Sequence, residues 1–308
     1  MSDERKLREP WLLAVWPGMG QVALTAGYYL LAKLGMYLLA ELSSRQLFDI
    51  EHIEVKDGLI QTGRMPRSRL FVWEDPNKKH DLLLFVGEAQ VPQGRYAFCK
   101  QLIDNAKSLG AVRVFTFAAM ATQMDPESES RVFGVTTDTG GLAELQQLEV
   151  PLMDDGHIGG LNGILLGVAA EEGIRGTGLL GEIPHIFSQF PYPAASLAVL
   201  QVFTILAGIE LDFTELQQQA DTLEEQLGRL LMQLQERMVR NAEQESDKAS
   251  ATSSGEARPI QAEEVARLET LFDQAKQDRS RAYELKNELD RLGLFKEYED
   301  RFLDLFRP

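Results

Sequence analysis

The sequence predicts an α/β protein with a mixed, largely parallel sheet covered by helices on both faces. Three observations carry that reading. Short apolar runs, of which Asp81-Leu-Leu-Leu-Phe-Val86 is the clearest, are too short for helices and too apolar for strands with one wet face. Helical stretches of ten or more residues lie between several of them, and this alternation produces βα units. Polar, glycine-containing turns follow the apolar runs directly, and turns at strand carboxyl ends are where open α/β sheets bind ligands.

Trp11–Trp16 reads as a buried strand stopped by Pro17-Gly18, and Val22–Leu34 has helical spacing behind the Gly18-Met-Gly20 turn. Residues 22–42 are apolar enough to raise a transmembrane reading. Lys33, Thr25, two glycines and three tyrosines favour one helix with a break near Gly35. Phe48–Val55 and Asp57–Gln61 read as strands around a Lys56-Asp57-Gly58 turn, and Leu70–Trp73 as another. Asp81–Val86 follows, then a loop through Gly94, then a helix from about Tyr96 to Leu109 closed by Gly110.

Val112–Ala118 is the next strand, Met120–Ser130 a loop, Arg131–Thr136 a strand and Leu142–Leu148 a short helix. Gly156–Gly163 opens a helix to about Glu172, and Leu179–Ile183 is a last strand ending at Pro184. Pro193 starts an apolar helix to Ala207. Residues 1–212 thus form an α/β core. Residues 213–240 continue it as a polar helix with a leucine stripe, and residues 241–260 have a linker's composition. Residues 261–308 form a helical appendage too small for its own core, so it packs on the body or on a neighbouring subunit. As an appendage, it would be removable without loss of the α/β fold.

With 44% hydrophobic and 25% charged residues, the 308-residue chain can bury a full core. A net charge of −16 argues against nucleic acid and anionic membranes as partners. The cluster Arg64, Arg67, Arg69 reads as a solvated loop. The single cysteine, Cys99, excludes a disulfide framework and a cysteine-rich metal site, and its apolar helical setting suits an inert thiol. The N-terminus mixes acids and bases and its apolar run is cut at Pro17, unlike a signal peptide, so a cytoplasmic protein is expected.

No Gly-x-Ser-x-Gly elbow, His-Glu-x-x-His or Cys-x-x-Cys occurs. Gly18-x-Gly20 lacks the third glycine of a dinucleotide fingerprint, and shaping the turn is the simpler role for both. The candidate crevice at the strand ends comprises Gly18, Gly20, Glu88, Gln90, His157, Gly159 and Glu182. Gly18, Gly20 and Gly159 would offer backbone N–H groups to an anion. Glu88 and Glu182 would meet there as an acid–base pair or grip a ribose, or else cap nearby helices. Asp154-Asp155-Gly156-His157 suits either a cation or a turn before a helix. No catalytic residue, metal or cofactor is assigned.

Several stretches together resemble the proteasome assembly chaperone family, in particular the bacterial and archaeal relatives of the second eukaryotic assembly chaperone. They are Trp16-Pro-Gly-Met-Gly20, Leu82–Val86 leading into Gly87-Glu88, and Gly156-x-x-Gly159-Gly160-x-x-Gly163. Leu179-Leu-Gly-Glu-Ile-Pro184 and Pro191-Tyr-Pro-Ala-Ala195 complete the set. The resemblance spans roughly residues 10–240. It implies a three-layer α/β/α sandwich, phosphorylase/hydrolase-like in fold, and an oligomer, with a trimer as the first expectation. It also implies a scaffold or chaperone role, with protein partners contacting helices 214–240 and 261–308. A small-molecule protein acting on a nucleoside-like or phosphorylated ligand is the alternative. Family members that engage proteasomes use a hydrophobic-Tyr-x tail; this sequence closes Leu305-Phe306-Arg307-Pro308, without that tyrosine.

Overall fold

Alternation along β1 (Trp11–Val15) divides the molecule into two cores. Leu13 and Val15 face α1 (Val22–Lys33) and α5 (Pro193–Ala207), whereas Leu12 and Ala14 face α2 (Arg95–Ser108) and α4 (Gly160–Glu171). The computed structural model describes residues 6–42, 47–48, 54–61, 65–126, 128–244 and 262–307. Seven strands share one sheet. Their order is β2 (Tyr37–Leu42), β5 (Ser68–Trp73), β6 (Leu82–Gly87), β1, β7 (Arg113–Thr122), β9 (Arg175–Pro184) and β8 (Val132–Thr136). The central four, β6, β1, β7 and β9, are parallel, and β2, β5 and β8 run antiparallel to their neighbours. Helices α2 and α4 cover one face, and α1 and α5 the other, giving the α/β/α sandwich.

Three local readings are corrected. β2 was not expected: Tyr37–Leu42 continues the apolar run of α1, but the chain turns at Gly35 (φ +59°) and pairs antiparallel with β5. β7 runs on through Met120–Thr122, where a loop is expected, because its partner β9 starts at Arg175 and pairs along its whole length. Arg69 is not in a solvated loop. It lies on β5 and is 1% exposed. Arg64 and residues 49–53 of the expected Phe48–Val55 strand fall outside the described residues; β3 (Glu54–Lys56) pairs with β4 (Leu59–Gln61) as a separate hairpin.

Every residue of α1 from Val22 to Ala32 is buried. A helix apolar on all sides needs cover on all sides, and the C-terminal helices supply the outer cover. These are α7 (Ala262–Gln277), α8 (Ala282–Arg291) and α9 (Phe295–Asp304). Tyr28 meets Phe295 and Phe302 edge-on at 5.3 and 5.8 Å, and Tyr29 meets Tyr283 at 4.5 Å. Phe306 is buried against Phe71, and its carbonyl accepts the Leu38 N–H at 2.7 Å. The segment read as an appendage therefore shares one core with α1 and α5. Helix α6 (Thr214–Gln244) joins at its first turns, where Lys33 pairs with Glu215 at 2.9 Å. Among the described residues no helix is long and apolar enough to cross a membrane.

Candidate functional site

The four parallel strands end on one side of the molecule, and the loops that leave them form a mouth there. Gly20 adopts φ +62°, which favours glycine; its N–H donates to the Ser188 carbonyl at 3.0 Å and its carbonyl accepts the Tyr192 N–H at 2.8 Å. The Gln21 N–H donates to the Gly18 carbonyl at 3.1 Å. The N–H groups of Gly20 and Gln21 are thus engaged within the chain and are not open to an anion. Gly18 is extended, and a Cβ there would touch nothing within 4 Å. Gln90 donates from Nε2 to the Pro17 carbonyl at 2.9 Å, and its Oε1 lies 2.8 Å from where a Cβ on Gly160 would sit. The structure thereby brings together Gly18, Gly20 and Gln90 with the start of α4, where Gly159 is the N-cap. His157, just before it, is exposed.

Glu88, the residue after β6, is buried. Its carboxylate accepts from Arg69 Nη1 at 2.8 Å and from the Arg67 N–H at 2.9 Å. Arg69 also donates to Asp300 of α9 at 2.8 Å and lies 3.4 Å from Glu41. Burial works against the charge on Arg69, but Asp300, Glu88 and Glu41 outweigh it and hold its pKa above the usual value. Beside this cluster Tyr28 donates to Glu299 at 2.9 Å, and Lys296 pairs with the other Glu299 oxygen at 2.8 Å. Burial and then Glu299 push the Tyr28 phenol well up, so it stays neutral. Lys286 pairs with Asp290 and lies over the rings of Tyr28 and Phe295.

Between the mouth and α8–α9 these residues enclose a cavity of about 460 Å³, lined by Pro17, Gln21, Thr25, Tyr28, Glu88 and Phe295 among others. That volume lies within the range of small-molecule pockets. The wall is half core and half C-terminal segment, and its acids and bases are bonded to one another.

Glu182 lies elsewhere. Three strand spacings separate β6 from β9, about 14 Å, so Glu88 and Glu182 do not meet as an acid–base pair. Glu182 is gripped by Arg131, from Nε at 2.7 Å and Nη2 at 2.9 Å, and by the Thr122 hydroxyl at 2.7 Å. Arg131 first, with Thr122, holds its pKa below the usual carboxylate value despite burial. A depressed folded-state pKa contributes stability above the unfolded value, near pH 4.3, which is lost as pH falls through the folded one. Glu182→Gln is therefore expected to cost about 1–2 kcal/mol at pH 7, the low end because Arg131 is solvent-exposed. In urea melts run at successive pH values the gap should narrow as pH falls from the unfolded value through the folded one; a gap constant with pH would exclude this role.

Asp154 and Asp155 are exposed, and among the described residues no cluster of three or more metal-ligating side chains forms. Cys99 is buried in α2, and burial pushes its thiol up to about 12. Arg69, Tyr28, Glu299 and Asp300 were missed from sequence. The available signal was a charged residue inside the apolar β5 run, Ser68-Arg-Leu-Phe-Val-Trp73.

The motifs at this mouth fall inside a single family match: the PAC2 family model covers residues 12–231. The chain belongs to the PAC2 family. An uncharacterized protein from Methanocaldococcus jannaschii is 25% identical over 246 residues, covering 79% of this chain and 91% of the relative. The structure of PbaB of Pyrococcus furiosus, described as an archaeal proteasome activator, superposes with a TM-score of 0.63 at 24% identity. That match covers 74% of this chain and 96% of PbaB. PbaA of the same organism, described as an archaeal homolog of proteasome-assembly chaperone, gives 0.59 at 24% identity, covering 79% and 97%. At these identities the structural likeness establishes the fold. The PAC2 match ends at residue 231, so α7–α9, which close the cavity, lie beyond it.

Proposed function

We propose that this PAC2 protein is an oligomeric, protein-binding scaffold of the assembly-chaperone type, working in the cytoplasm. Family membership and the descriptions of PbaA and PbaB support the reading. The observation that carries it at the site is the internal pairing of the crevice. Glu88 is held by Arg69, Glu299 by Tyr28 and Lys296, and Lys286 by Asp290. A general acid or base must have a proton position open to substrate, and these groups spend theirs on holding α8 and α9 in place. The partner surface includes the exposed side of α6, with Gln218, Thr222 and Glu225 among its residues, while Leu216 and Leu227 pack into the core.

Native mass spectrometry of the full chain, purified from its own cells, tests this. A homo-oligomer free of small molecules and associated with a stoichiometric second protein is the expected result. An oligomer carrying one small molecule per subunit, lost on Phe295→Trp filling of the cavity, would replace the scaffold reading with a ligand-binding one.

A further inference from the structure

Four segments of the mouth share one property. Residues 16–21, 89–94, 156–163 and 185–194 contain no Asp, Glu, Lys or Arg, in a chain that is 25% charged. They are distant in sequence but stitched together in space. Gly20 bonds to Ser188 and to Tyr192, Gln90 bonds to Pro17, and Gln90 abuts Gly160. The face they form exposes apolar side chains. Met19 is 45% exposed, Ile186 57% and Phe190 48%. Of the carboxylates at the strand ends beside it, Glu88 and Glu182 are buried and paired with Arg69 and Arg131, whereas Asp154, Asp155 and Arg95 stand at its rim and Lys286, Asp290 and Lys296 share a cavity wall with Pro17 and Pro191.

We propose that this charge-free mouth is the face through which copies of the chain contact one another. The proposal rests on the homo-oligomer part of the reading above and adds where the contact lies. Charge selects the occupant. Each copy carries a formal charge of −16, so two copies meeting through ordinary surface would bring like charges within a Debye length, about 8 Å at physiological salt. A neutral apolar patch lets them approach closely without desolvating acids that have no counter-charge. A basic partner would instead be drawn to the acidic surface. Depletion of charge at the centre, exposed Met and Phe, and charged residues at the rim are the composition of an interface core.

The test is sedimentation velocity on the full chain over a concentration series, with Met19→Glu, Phe190→Glu and the control Ile205→Glu. Ile205 is 64% exposed on α5 near Gly208, at the opposite end of the sheet. All three positions are surface sites, so far-ultraviolet circular dichroism and melting should be unchanged. The wild type and Ile205→Glu are expected to associate equally, and either mouth variant to associate on the order of a hundredfold more weakly. Added salt should strengthen wild-type association by screening the net charge. An oligomer left intact by both mouth variants overturns this placement and leaves the homo-oligomer reading standing. A wild type that stays monomeric at every concentration overturns both.

Discussion

Arg69→Ala is expected to destabilise the protein by about 3–5 kcal/mol, the cost of removing one partner from a buried ion pair. The side chains of Arg69 and Glu88 are almost wholly excluded from water and touch at 2.8 Å. Removing the guanidinium takes from Glu88 the charge it touches and breaks the 2.8 Å contact with Asp300 that links β5 to α9. Against a typical total of about 5–15 kcal/mol, the loss approaches unfolding. The double variant Arg69→Met/Glu88→Met removes both charges and keeps most of the volume, so it should recover much of the deficit. Urea denaturation at pH 7 and pH 5 separates the causes. If the buried carboxylate is responsible, protonation at lower pH relieves it and the single-variant deficit shrinks. A double variant as unstable as the single one would mean that packing around Arg69, not charge, sets the loss.

That ion pair marks where sequence reading stopped. The runs Trp11–Val15 and Leu82–Val86 were legible because strands buried on both faces are apolar without interruption. β2 was hidden because Tyr37–Leu42 follows α1 with only Leu34–Met36 between them, so two elements merge into one apolar stretch. Arg69 looked solvated beside Arg64 and Arg67, yet it sits on the face of β5 that it shares with Phe71, toward α9. Its partners are 19 and 231 residues away, beyond any local spacing rule. Glu88 directly follows β6 and Glu182 lies inside β9 near its end, but strand order decides whether they meet. Order is a product of tertiary pairing, which put β1 and β7 between them. Gly18, Gly20, Gln90 and Gly159 did fall at one mouth, because the turn after a parallel strand and the start of the helix before the next share an end of the sheet.

Removing residues 262–307 is expected to abolish the native soluble fold, although the whole segment lies outside the PAC2 match. The physical reason is α1. Its Tyr28, Tyr29 and their neighbours are buried on the outer side by Tyr283, Phe295 and Phe302. Without those helices an apolar helix face and the Glu88–Arg69 pair would open to water. Phe302→Ala grades the same effect in the full chain. Phe302 is fully buried among Tyr28, Phe295 and Phe306, and losing a buried phenylalanine costs about 3–5 kcal/mol. Size-exclusion chromatography and dye binding would show the truncated chain as aggregated with exposed apolar surface, and Phe302→Ala as folded but with a lower urea midpoint. A truncated chain that keeps the wild-type association state and melts cooperatively at the wild-type temperature would refute the covering role. The distinction matters for function, because a truncation that loses a partner through misfolding looks the same as one that removes the partner's site. Substitutions on exposed positions of α6 and of the mouth leave α1 covered, and so separate recognition from folding.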